Sequence, residues 1–333
     1  MYRLLVLLVV MTWCCEAPAS DVARPIAVRD LGSAALPFGL PRARGGMLAL
    51  GDKWQAGLEQ EFVQNFTQLW VEGERQLIFD GETSVTTFSV QRGIGSRFEV
   101  GMDLPWIYHS GGHLDGLIKS FHDLTGASGR DREGAPRGQI AYQWLADGMT
   151  VFDINEPVSG IGDITLRLGW QAWRKDGRGF ALRGTLKAPT GDPDKLTGSG
   201  AWDTSLYLEY TDAGLVSGRL AITAAAGLVV LGDGEFAPAQ QENTAWTGHL
   251  GLGWRFTDKF AGKAQLDSHA ALFDSPLPQV GDAAIMATFG VTWNFSPGGG
   301  WMRPWSRTFY LPPRPTWCFF SDLRTAHSRR RGL

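Results

Sequence analysis

The stretch IMATFGVTWNF, residues 285–295, decides the fold. Every odd position in it is apolar (Ile285, Ala287, Phe289, Val291, Trp293, Phe295), and Thr288, Thr292 and Asn294 lie between them. A helix gathers every third or fourth residue on one side, whereas a strand sends neighbours to opposite faces. A period of two held this long therefore predicts one long strand with an apolar and a polar face. Working outward, the same pattern recurs. Ile164, Leu166, Leu168 and Trp170 alternate with Asp163, Thr165, Arg167 and Gln171, and Trp202, Leu206, Leu208 and Tyr210 with Asp203, Ser205 and Glu209. Trp246, Leu250, Leu252, Trp254 and Phe256 share one face, opposite Gly251 and Gly253. Strands in soluble proteins usually run about 5–6 residues, while a tilted crossing of a bilayer takes about 9–11.

The pattern predicts strands near 54–65, 72–91, 97–108, 162–174, 179–189, 201–212, 217–231, 243–257, 260–271 and 282–295. The joints at Gly93–Ser96, Lys175–Arg178, Asp212–Val216 and Thr257–Lys259 are short and mostly rich in Gly and Asp, as hairpin turns require. Those between them (110–161, 190–200, 232–242 and 273–281) are long. Short turns at one end and long loops at the other is the layout of an outer-membrane barrel with its long loops outside the cell. A soluble β-sandwich has no reason to sort its loops this way. The fold expected is all-β, an antiparallel transmembrane β-barrel of about ten strands, with one helix in a long extracellular loop.

Composition and the N-terminus agree. Arg3 precedes the apolar run Leu4–Met11, and Ala17-Pro18-Ala19 has the small-x-small form of a signal-peptidase site. The run is too short to span a bilayer. Cys14-Cys15 raises a lipoprotein reading, against which stands Trp13, bulky where lipoprotein cleavage needs a small residue. Cleavage near Ala19 leaves Cys318 alone, so no internal disulfide framework forms. A net charge of −3 offers no basic field for nucleic acid, and 14 Trp with 18 Phe is a load that barrels place in girdles at the membrane interfaces. The expected organisation is a signal peptide over 1–19, a periplasmic lead-in over 20–52, a barrel over 53–295 and an aberrant tail over 296–333. The expected location is the bacterial outer membrane.

Leu114, Leu117, Ile118, Phe121 and Leu124 recur at three- and four-residue spacing, predicting a helix in the long loop that folds over or into the barrel. A hairpin is expected from Ile140 to Phe152 around Asp147-Gly148. His109, His113, Asp115, His122 and Asp123 gather near that loop without HExxH spacing, so a polar helix face explains them better than a metal or a general base. Asp192 and Asp194 lack the spacing of a calcium loop and read as a surface turn. Alternation directs Arg167, Arg183, Lys187, Asp203, Glu209, Lys263, Gln265, Asp267 and His269 to the polar face, which in a barrel is the lumen. Ser268 points the opposite way, so it forms no charge relay with His269 and Asp267. No catalytic, cofactor or metal residue is expected.

The segments HSGGHLDGLIKSFHDLTG (109–126), LKAPTGDPDKLTGSGAWD (186–203), VVLGDGEFAPAQQEN (229–243) and KAQLDSHAALF (263–273) resemble the DUF3187 family of proteobacterial outer-membrane proteins. The resemblance covers most of 30–295. It implies a β-barrel and outer-membrane placement and carries over no cofactor or catalytic residue. The chain is also reminiscent of barrels grouped with uptake of aromatic compounds. Members of the family close with two further strands around a Glu-Asp and an Ala-Pro-Asp-Val-Val-Phe signature, which would make twelve. That signature is absent here. After Gly300 alternation stops and Pro304, Pro312, Pro313 and Pro315 crowd among Trp and Arg, where ordinary central strands do not form. A reading-frame shift at Gly298-Gly299-Gly300 accounts for this, the alternative being a genuine basic tail ending Arg329-Arg330-Arg331. The leading functional expectation is a channel or uptake pore for small solutes. Behind it stand a structural or adhesive envelope barrel and an outer-membrane lipid-modifying enzyme. The partners expected are outer-membrane lipid, the barrel-assembly machinery and a small solute.

Overall fold

A computed structural model describes residues 22–52, 54–71, 75–111, 138–146, 148–294, 302–310 and 323–327. They hold fifteen strands in a single antiparallel sheet: β1 (Trp54–Val71), β2 (Arg75–Ile94), β3 (Phe98–Ser110), β4 (Ala141–Ala146), β5 (Met149–Ile154), β6 (Val158–Ile161), β7 (Thr165–Lys175), β8 (Arg178–Lys187), β9 (Asp203–Gly214), β10 (Leu220–Val230), β11 (Thr244–Thr257), β12 (Phe260–His269), β13 (Ala284–Asn294), β14 (Met302–Tyr310) and β15 (Leu323–His327). The main path runs β14-β13-β12-β11-β10-β9-β8-β7-β3-β2-β1-β15, with β4, β5 and β6 branching from it. Apart from the step from β3 to β7 and the pairing of β1 with β15, neighbours on this path are neighbours in sequence, a meander built from hairpins. Between β7 and β8, Asp176 (φ 50°) and Gly177 (φ 79°) both take positive φ, the requirement of a two-residue type I′ turn.

The ten strands expected from alternation correspond to β1–β3 and β7–β13. The path has twelve because the tail contributes two more, so the count of ten is corrected. The backbone of β14 pairs with β13, and that of β15 with β1. Pro304 stands opposite Thr292 in the first of these ladders. Among the described residues β14 has one ladder neighbour, and a strand hydrogen-bonded on one side tolerates a missing donor that a central strand does not. The hairpin expected near Asp147-Gly148 is present as β4–β5. Leu114, Leu117, Ile118 and Phe121 lie outside the described residues, as do His113, Asp115, His122 and Asp123.

The sheet curls. Asp30 bonds His269 on β12 (3.0 Å), and three residues on, the Ser33 amide donates to Asn65 on β1 (3.3 Å). Along the path β12 and β1 are eight steps apart, which in a flat sheet is roughly 38 Å at about 4.8 Å per step. Three residues of chain reach no more than about 11 Å. The sheet therefore wraps around residues 22–50. On its outer surface Leu166, Leu168, Leu206, Leu250 and Leu252 are exposed, Leu168 by 56%. Exposed tryptophans border them at both ends: Trp54, Trp170, Trp254 and Trp293 towards the tight turns, Trp106, Trp202 and Trp246 towards the long loops. Trp246 and Trp254 are eight residues apart on β11, about 27 Å along the strand.

The largest buried apolar cluster sits at the long-loop end. Phe38 from the N-terminal segment packs edge-on against Phe273 (centroids 5.4 Å apart), which also meets Trp144 (5.1 Å), with Phe79, Phe152 and Phe236 around them.

Candidate functional site: the buried charged face

A segment inside a curled sheet but outside its ladders has amides and carbonyls that no ladder satisfies, and burial makes leaving them unpaired costly. Here wall side chains supply the partners. Gln265 accepts from the Ile26 amide (2.9 Å) and donates to the Ile26 carbonyl (2.8 Å). Gln171 does likewise near the other end of the segment, accepting from Leu48 N (2.9 Å) and donating to Gly46 O (2.7 Å). Asp203 accepts from Gly39 N (2.7 Å), Glu209 from Arg44 N (2.6 Å), and Glu99 from Ala49 N (2.7 Å). Lys263 donates to the Arg24 carbonyl (2.7 Å) and Lys187 to that of Pro37 (2.9 Å). Glycines on the wall make room for this backbone. A Cβ on Gly253 would strike the Val22 carbonyl oxygen, and one on Gly179 that of Gly46.

Charges are paired across the same space. Arg183 on β8 is held between Glu99 on β3 and Glu209 on β9. Arg42 reaches Glu59 and Glu61 on β1, both at 2.6 Å. Lys187 bridges Asp163 (2.6 Å) and Asp203 (3.0 Å) and also meets Ser199 Oγ (2.5 Å). Asp103 is shared by Arg44 (3.1 Å), Arg167 and the Ser89 hydroxyl (2.6 Å). His249 Nδ1 bonds Asp267 (2.7 Å), its Nε2 bonds Thr223 (2.9 Å), and Gln265 completes Asp267 (2.7 Å). Burial, with Arg42 beside it, pulls the Arg29 guanidinium down to about 10, still protonated at neutral pH.

Of the residues directed to the polar face, Arg167, Arg183, Lys187, Asp203, Glu209, Gln265, Asp267 and His269 are buried and Lys263 is half-buried. The structure brings them together through residues 22–50. That connection was missing from the sequence reading, and its one local signal is glycine on the polar face, as at Gly253. His109 is a buried wall residue, bonded to Thr83 (2.8 Å) and edge-on to Tyr142. The surface turn at Asp192 is partly a lid: Asp192 caps the 3-10 turn Pro193–Lys195, and the following Leu196, Thr197 and Ser199 are buried. Thr223, His249 and Asp267 stand in the order of a hydrolytic triad, yet only His249 and Asp267 of the three line a cavity. Two small cavities flank Arg29. One is edged by Asp30, His249, Asp267 and His269, the other by Arg44, Asp103 and Arg167.

The fold is similar to that of the COG4313 outer membrane channel from Pseudomonas putida F1, at 13% identity and a TM-score of 0.52, over 84% of this chain and 97% of that one. The Ralstonia pickettii toluene transporter TbuX aligns over 94% of this chain and 97% of its own (11% identity), and a Pseudomonas aeruginosa FadL homologue over 95% and 96% (12% identity). Both score 0.37, too low to add to the fold assignment. No curated protein matches the sequence significantly. Residues 5–299 match the family described as "Protein of unknown function (DUF3187)"; with most of its length in that match, the chain belongs to the DUF3187 family.

Proposed function

We propose that the protein is an outer-membrane β-barrel channel for small solutes, with residues 22–50 filling the lumen as a plug. One observation carries this reading: the same strands expose leucine outward, between two rows of tryptophan, and bury ion pairs inward. A water-soluble protein does the reverse, and an exposed apolar surface this extensive marks contact with another phase. Lipid against the leucines and an interface at each tryptophan row fits the girdled band of a barrel. The described ladders leave β14 and β15 as the two ends of the path, and their meeting completes the barrel. The nine polar-face residues from Arg167 to His269 then line the lumen beneath the plug. Outer-membrane lipid and the barrel-assembly machinery are the partners this placement requires, after export by the 1–19 leader.

The test is conductance of the refolded full chain in planar bilayers, beside a chain lacking 22–50. Small, infrequent conductance from the full chain and large, steady conductance from the truncated one is the expected result. No conductance from either, with both folded, removes the channel reading. It would favour a structural envelope barrel, which the filled interior also fits.

A further inference from the structure

The interior ion pairs are unevenly matched. Arg42, Arg183 and Lys187 each hold two carboxylates. Arg44 and Arg167 both pair with Asp103. Arg29 has no ion pair among the described residues, and its hydrogen bond goes to the Phe38 carbonyl at 3.3 Å. Arg29, Arg44, Arg167 and Asp103 edge the same cavity between the N-terminal segment and the wall, together with Arg42, which Glu59 and Glu61 hold, and Asp163, which Lys187 holds. Donors there are unspent. Nε of Arg29, Nε and Nη2 of Arg167 and the Thr87 hydroxyl are buried without a hydrogen-bond partner among the described residues. The Arg167 side chain is 4% exposed, so bulk water does not satisfy it. Buried polar groups in native proteins are nearly always bonded. Its position is built in: Gly101 faces Arg167 across the β3–β7 ladder, and a Cβ there would collide with the guanidinium.

We propose that this cavity, which sits beside the plug of the channel reading and rests on it, binds the carboxylate of a small organic acid through Arg29 and Arg167. A guanidinium presents a planar fork of N–H donors that matches a carboxylate in a bidentate pair. Water in the cavity would satisfy donors, whereas a carboxylate also offsets the charge of Arg29, whose one hydrogen bond among the described residues goes to a carbonyl. Leu40, Pro41, Pro105 and Tyr207 share the lining, so the acid's apolar stem has a surface to rest on. That surface is why an organic acid fits better than inorganic phosphate. Carboxylate binding ties Arg29 on the segment to Arg167 on the wall, placing the solute at the joint that must part for the lumen to open.

Calorimetric titration of the refolded full chain in detergent with benzoate, and separately with inorganic phosphate, tests the site. Folding is confirmed by heat-modifiable gel mobility. Benzoate should bind saturably and more tightly than phosphate. Arg167→Gln should weaken it by about tenfold or more, the effect of losing a charge-assisted bond, and Arg167→Lys should not restore it, because the fork is gone. Should the wall variants fail to fold, Arg29→Gln on the segment gives the same readout. Absence of saturable benzoate binding to folded protein overturns the site, as does unchanged affinity in Arg29→Gln or tighter binding of phosphate. Binding without conductance would leave the site standing and remove only the channel, and conductance without binding would do the opposite.

Discussion

Arg183 shows what a single buried charge does here. It is held between Glu99 and Glu209, and all three side chains are almost wholly buried. Removing one partner of such a set leaves uncompensated charge, so Arg183→Ala should destabilise the folded state by about 3–5 kcal/mol. Urea titration followed by tryptophan fluorescence measures it; a loss under 1 kcal/mol would mean that water already reaches these carboxylates. One residue in the neighbouring ladder, Leu168 faces the other way and stands opposite Gly184. Leu168→Arg should cost about 2–4 kcal/mol in lipid if the site is near the midplane, and close to nothing in a protein whose outer surface meets water. Comparing that variant in vesicles and in a mild detergent separates the two cases. Both assignments were legible from alternation alone, because neighbours on a strand cannot share a face.

At the scale of elements, residues 22–50 satisfy much of their backbone outside any ladder, apart from the turn at 32–38, whose amides bond within it. The amides of Ile26, Gly39, Arg44, Leu48 and Ala49 donate to buried side chains. Hydrogen exchange at these positions should therefore be as slow as in β8 and β9. Exchange at the rate of an open loop would show that the segment leaves the interior readily. Wall glycines give a gentler lever than deletion. Gly253→Val should expel the segment at Val22 while leaving β11 paired, which raises exchange in 22–28 before it changes the strands. The helix expected over 114–124 is argued from the apolar stripe of its sequence alone. Docking of Leu117, Ile118 and Phe121 against the wall predicts protection from protease added to intact cells, and ready cleavage there counts against it. Helix periodicity can announce such a stripe but not the surface that receives it.

At the scale of the whole molecule, the tail supplies both ends of the strand path. The family match ends at residue 299, and β14 and β15 lie beyond it. We expect resequencing of the gene to show a shifted frame near Gly298–Gly300, with strand-like alternation and the closing acidic signature in another frame. A confirmed frame without such alternation ends that idea and leaves 302–310 and 323–327 as the native ends of the path. Restoring a regular pair of closing strands should raise thermal stability, since open ladder edges have no water to satisfy them within a bilayer.

By itself the sequence determined ten of the strands on the main path, their tight turns and the face each side chain takes on them, because these depend on periods of two and on turn residues a few positions apart. Leu166, Arg167 and Leu168 needed no neighbour to be sorted. Only the tertiary structure decided what meets the polar face. Gln265 and Ile26 are 239 residues apart, as are His269 and Asp30, and nothing in a segment without periodicity such as 22–50 states which wall it will touch. That pairing follows from the curl of the sheet, which brings β12 and β1 to the same short stretch of chain and gives each buried charge a partner that no local pattern could name.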